Sequence, residues 1–122
     1  MATLNIMVGE AEGKVPVKVL RLEGDIDAST QKLFHDKANE VIGAGAEYIL
    51  LDLSGVDYMG SAGFRVIHAM ANDLGGGDGK LHKSPHLKLL NPTEAVARVI
   101  KTLGFDVYLD IHTDREEAIA SF

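Results

Sequence analysis

Apolar and polar positions alternate from the start of the chain. Leu4, Ile6 and Val8 fall at every second position, the spacing of a strand with one buried face. Gly9 to Gly13 reads as a turn. Val15, Val17 and Val19 resume the alternation, and Leu20 and Leu22 carry a second strand to Gly24, so the two segments form a hairpin. The period then changes. Behind the cap-forming run Asp25-Ile26-Asp27-Ala28-Ser29-Thr30, residues Phe34, Ala38, Val41 and Ile42 recur at helical spacing until Gly43 and Gly45. Tyr48-Ile49-Leu50-Leu51-Asp52-Leu53 is almost continuously apolar, as in a strand buried on both faces. Ser54 to Gly60 reads as a short loop. A second helix from Ser61 buries Phe64, Ile67, Ala71 and Leu74 and turns Arg65, His68 and Asn72 outward.

Gly75 to Gly79 breaks that helix. With Lys80 to Pro85 it reads as a flexible loop that can be shortened without loss of stability, because ordering glycine is entropically costly. His86 to Leu90 is a fourth strand. Asn91-Pro92-Thr93-Glu94 predicts a helix start, with Asn91 as cap, Pro92 at the first helical position and Glu94 reaching back. Val96, Val99, Ile100 and Leu103 form its stripe and Gly104 ends it. Val107 to Ile111 is a last strand. Thr113-Asp114-Arg115-Glu116 has the form of a capping box for a short helix ending near Phe122. The order ββαβαβαβα predicts a single α/β domain over residues 1–122. Its mixed, mostly parallel sheet has about five strands, packed with about four helices.

Composition narrows the function. The 122 residues carry 12 Lys and Arg against 18 Asp and Glu, a net charge of −6, and the basic residues are scattered. Nucleic acid and anionic membrane are poor partners for such a surface. The absence of cysteine excludes disulfides, thiolate catalysis and cysteine zinc sites. The opening Met1-Ala2-Thr3-Leu4-Asn5 lacks the regions of a signal peptide, and the expectation is a cytoplasmic protein.

Catalytic patterns are incomplete. Around Ser61 a nucleophile elbow would need glycine where Met59 stands. A phosphate loop ending at Gly79-Lys80 would need a hydroxyl at Leu81 and a glycine at Leu74. His82 and His86 have ligand spacing for a helix, but Pro85 lies between them, and they read as solvated. His35, His68 and His112 are isolated in the sequence. Asp25, Asp27, Asp52 and Asp57 stand near strand ends, where sites form in parallel sheets. Capping and loop-ordering roles suit them better than acid–base work. No metal, cofactor or enzymatic turnover is expected.

The stretch Asp52-Leu53-Ser54-Gly55-Val56-Asp57-Tyr58-Met59-Gly60-Ser61-Ala62-Gly63-Phe64-Arg65-Val66-Ile67 resembles the signature of STAS domains of the anti-sigma factor antagonist type. A buried strand, Asp-Leu-Ser, a short loop and Ser-x-Gly opening a helix follow in the same order. Leu22 to Asp27, Leu89 to Pro92, Leu103-Gly104-Phe105 and Asp114 to Ala118 resemble further landmarks, so the similarity spans nearly the whole chain. The resemblance implies a partner switch. The unmodified domain binds an anti-sigma factor that is itself a serine kinase, phosphorylation at the start of the second helix ends the binding, and a serine phosphatase resets it. The implied docking surface is Tyr58, Met59, Gly60, Ser61, Ala62 and Gly63, the helix face with Arg65, His68 and Asn72, and the neighbouring strand end with Asp25 and Asp27.

The chain departs from the family pattern at one point. Where well-known members read Asp-Ser-Ser/Thr-Gly and modify the second hydroxyl, this sequence reads Gly60-Ser61-Ala62-Gly63. Ser61 is therefore the candidate phosphorylation site. Two readings of it stand: a helix cap worth about 1 kcal/mol, or a regulatory hydroxyl where free amides and the helix dipole favour an anion. The alternative to the switch is an unswitched STAS module, either a subunit of a larger assembly or a binder of a nucleotide or lipid.

Overall fold

The computed structural model describes residues 2–75 and 83–122. The chain runs β1 (Leu4–Glu12), β2 (Pro16–Ile26), α1 (Gln31–Gly43), β3 (Ile49–Met59), α2 (Ser61–Leu74), β4 (Leu87–Leu90), α3 (Glu94–Leu103), a 3-10 turn (Phe105–Val107), β5 (Asp110–His112) and α4 (Arg115–Ala120). The strands lie side by side in chain order, β1 antiparallel to β2 and the rest parallel. The mixed α/β sheet read from the sequence is the one observed.

This order decides where the helices go. Each β–α–β step moves one strand in the same direction, and right-handed crossovers then put α1, α2 and α3 on one face. That face holds the main core. Leu20, Leu22, Ile49, Leu51, Leu53, Leu87 and Leu89 from the strands meet Phe34, Phe64, Ile67, Met70, Val96 and Ile100 from the helices. The opposite face carries a smaller cluster of Val17, Val19, Leu50 and Leu90, covered by Ala118 of α4 with Ile119 and Phe122. Lys88, also buried, ties that cover down. Its ammonium donates to the Ser121 carbonyl at 3.0 Å and hydroxyl at 2.9 Å, and pairs with Asp110 at 3.5 Å.

Several boundaries differ from the sequence reading, each for a local reason. Gly9 to Glu12 extends β1 instead of turning, because an edge strand paired on one side tolerates glycine, and Gly9 sits opposite Val19. Ser54 to Met59 is strand, not loop. β3 stays paired with β2 through two register shifts, to Asp25–Tyr58 and Ile26–Met59, while its polar side chains face outward. Asn91 does not cap α3. It adopts a left-handed conformation (φ 49°), and Thr93 takes the cap position with its hydroxyl donating to the Val56 carbonyl. The expected strand at Val107 begins instead at Asp110, because Gly104 turns left-handed (φ 79°) and starts the 3-10 turn. The last cap is Asp114, not Thr113: its carboxylate accepts from the Glu117 amide.

The middle of the expected flexible loop, residues 76–82, and with it His82, lies outside the described residues. Its downstream end is anchored. Ser84 is buried, its amide donates to the Tyr108 carbonyl and its hydroxyl accepts from the His86 amide. His86 is also held, its Nδ1 2.9 Å from the Glu47 carbonyl and its ring stacked on Tyr48.

Candidate functional site

The site forms where β3 passes into α2. The Gly60 amide donates to the Ile26 carbonyl at 2.9 Å, which fixes the chain as it leaves the sheet. Gly60 is the N-cap of α2, so no side chain caps this helix. Its carbonyl accepts from the amides of Gly63 and Phe64. Ser61 is the first helical residue and is exposed. Among the described residues its hydroxyl has no hydrogen-bond partner, so the capping role open in the sequence is not the one the geometry shows. The first amides of a helix lack intrahelical acceptors and its N-terminus is electropositive, so an anion on Ser61 would sit in a favourable field.

The neighbours divide into outward and inward groups. Tyr58 is 56% exposed and its ring lies against Gly60. Arg65, His68 and Asn72 follow Ser61 along one exposed face, spaced at about one turn each. Ala62 is half-buried. Met59 and Gly63, which the sequence reading put on the docking surface, point inward. Met59 belongs to the core, and a Cβ on Gly63 would lie 2.7 Å from both Ile26 Cγ2 and Met59 Cγ. Their part is to seat the helix start, not to touch a partner.

Asp25 and Asp27 lie on the adjoining end of β2. Asp25 is half-exposed and paired in the ladder with Tyr58. Asp27 is a turn-former. Its carboxylate accepts from the Ser29 amide and hydroxyl and from the Thr30 amide. The Ser29 hydroxyl, above all, holds its pKa below the ordinary 3.8. A depressed folded-state pKa adds stability above the unfolded value, lost as pH falls through the folded one. Asp27→Asn should therefore flatten the loss of melting temperature on acidification below about pH 4, and thermal melts between neutral and acid pH check this.

An apolar groove adjoins Ser61, which the sequence did not reveal. Phe64, Arg65, His68, Leu103 and Phe105 line it with Ser61 around about 280 Å³ of open space. His68 stands over it, edge-on to Phe105, with Nδ1 3.3 Å from the Tyr108 hydroxyl. Burial pushes the Tyr108 pKa up. Leu103 and Val99, read as buried stripe, are 51% and 37% exposed. The sequence holds no signal for this: Val96, Val99, Ile100 and Leu103 have the i, i+3, i+4, i+7 spacing of an ordinary core-facing stripe, and only the packing leaves Val96 and Ile100 alone buried.

No cluster of three or more His, Cys, Asp or Glu suited to a metal occurs among the described residues. No described helix is long and apolar enough to cross a membrane. The small mixed-sheet domain thus presents a bare helix start, an exposed polar helix face and an apolar groove side by side. The chain belongs to the STAS domain family, whose model matches residues 9–118. It is 24% identical over 105 residues to the anti-sigma-F factor antagonist RsfA of Mycobacterium tuberculosis, covering 84% of this chain and 77% of that one. An anti-sigma factor antagonist from Mycobacterium paratuberculosis has the same fold, with a TM-score of 0.82, 22% identity and coverage of 98% and 93% of the two chains. SpoIIAA, an anti-sigma factor antagonist, is similar in its unphosphorylated form (TM-score 0.73, 22% identity, 94% and 93% covered). It is also similar in its phosphorylated form (TM-score 0.66, 21% identity, 94% and 96% covered).

Proposed function

We propose that this STAS domain is an anti-sigma factor antagonist that works by binding and not by turnover. Its partner is an anti-sigma factor with serine-kinase activity. Docking uses Tyr58, Gly60, Ser61, Ala62 and the face of α2 with Arg65, His68 and Asn72, with Asp25 and Asp27 at the rim. Phosphorylation of Ser61 ends the docking and a serine phosphatase restores it.

The observation that carries this reading is the Ser61 hydroxyl, exposed at the first position of α2 and without a structural bond among the described residues. It is available to a kinase, and it lies beside the apolar groove. Phosphorylation would bring roughly −1.5 to −2 charge to that rim. An apolar partner side chain seated in the groove would then meet a strongly hydrated anion. Names borne by related proteins, anti-sigma-F factor antagonist among them, support the same role.

The partner is first captured from cells with the wild-type protein, and Ser61 variants are then titrated against it. Ser61→Ala should bind at least as well as wild type. Ser61→Asp should bind about tenfold more weakly, a difference of about 1.4 kcal/mol. Both should melt close to wild type, because no cap bond is lost. Equal affinity of all three proteins, with no phosphate on Ser61 in cells, would overturn the switch. The observation favouring an unswitched STAS module is Ala62 at the usual acceptor position, and that result would establish the module instead.

A further inference from the structure

The outer edge of β1 carries a separate message. The strand is 9 residues long, against a typical 5–6, and pairs with β2 without a register shift from Leu4 to Glu12. It contains neither proline nor lysine, the residues that commonly blunt an edge. Met7 and Val8 are 46% and 44% exposed on it. No described residue pairs with its outer side, since β1 is the first strand of the sheet.

The phase of the free hydrogen bonds follows from one contact. The Asp25 amide donates to the Thr3 carbonyl at 2.9 Å, and the register that sets Leu4 opposite Gly24 sets Thr3 opposite Asp25. Bonded and non-bonded pairs alternate along an antiparallel ladder. Asn5, Met7, Gly9 and Ala11 therefore spend their amides and carbonyls on β2. Leu4, Ile6, Val8 and Glu10 point theirs outward, and an added strand must bond to these.

We infer that this edge pairs with β1 of a second copy, antiparallel, about a two-fold axis at Met7. In this register Ile6 bonds opposite Val8 and Leu4 opposite Glu10 in both directions, giving about eight backbone hydrogen bonds. Both exposed apolar side chains then find apolar neighbours: Met7 faces Met7, and Val8 faces Ile6. The acids stay apart at opposite ends, and Glu10 is already paired with Lys18 of its own chain. The adjacent allowed registers fail. Centring on Val8 sets Ile6 against Glu10 and Leu4 against Glu12, and centring on Ile6 leaves Met7 against Asn5. The sequence Ile6-Met7-Val8 thus complements itself where the free hydrogen bonds require it. The first residues of the edge adjoin the docking rim, since the Asp25 amide bonds to Thr3, so self-association is read on the protein alone, without the captured partner.

Met7→Cys tests the axis directly, because the chain has no other cysteine. Non-bonded antiparallel pairs stand about 4.5 Å apart at Cα, within disulfide reach. Under mild oxidant Met7→Cys should form a covalent dimer. Asn5→Cys, which faces Gly9 of the second copy, should cross-link about tenfold more slowly. Sedimentation of the wild type should show association that rises with concentration. Val8→Pro removes an outward amide and no bond to β2, so it should be monomeric with a melting temperature within a few degrees of wild type. Should that variant fail to fold, Met7→Lys, which changes only an exposed side chain, must be monomeric. A wild type that stays monomeric up to about 1 mM, equal cross-linking at positions 5 and 7, or a folded Val8→Pro or Met7→Lys that associates as wild type does would each overturn the pairing.

Discussion

Gly63→Val is expected to cost about 2 kcal/mol and to disable docking in the molecules that remain folded. Gly63 is in the first turn of α2 and is buried. A Cβ there would stand 2.7 Å from Ile26 Cγ2 and Met59 Cγ, and 3.2 Å from the Met59 sulfur. Ile26 and Met59 are 0% and 5% exposed, so neither side chain can swing into solvent to make room. The helix start must lift off the sheet, carrying Ser61 and Arg65 with it. Gly60→Ala is the control. Its Cβ would meet the end of Tyr58, at 3.0 Å from the hydroxyl, but Tyr58 is exposed and can turn away. That variant should stay within about 0.5 kcal/mol of wild type. Paired thermal melts and titrations against the captured partner check both. Wild-type stability for Gly63→Val would mean that α2 does not seat as closely as described.

Phe34→Ala should have the largest effect on stability, about 3–5 kcal/mol. Phe34 is the largest fully buried side chain, at 0% exposure, and projects from α1 into the main core. The lost ring removes both its transfer free energy and the contacts of the atoms around the resulting cavity. Against a total stability of about 5–15 kcal/mol, a drop of that size lowers the melting temperature by about 15 °C. Denaturant titration should show the midpoint falling at nearly constant slope. Because the cavity lies in the core and the docking face is built by α2, the folded fraction should bind the partner with wild-type affinity. A loss of affinity without a loss of stability would show that α1 shapes the docking surface.

The features legible in the sequence were those written in local periodicity. Alternation at Leu4, Ile6 and Val8, the apolar run from Ile49 to Leu53, and helical spacing from Phe34 to Ile42 each select one backbone geometry, because a strand and a helix bury different positions. Gly104 gave a helix end that holds, since few other residues take its left-handed backbone at low cost. The start of α2 at Ser61 was equally legible, and with it the exposed positions of Arg65, His68 and Asn72. What only the tertiary structure decided depends on residues far apart in the chain. Pairing with β2 makes Ser54 to Met59 a strand although its own pattern reads as loop, because ladder hydrogen bonds outweigh local preference. Packing against Ile26 turns Met59 and Gly63 from surface into supports. The groove between Phe64 on α2, Leu103 at the end of α3 and Phe105 just beyond it exists because the two helices pack over one sheet face. Local spacing specifies which way a side chain points from its own element, but whether that direction meets protein or water is fixed by the neighbour that the fold places there.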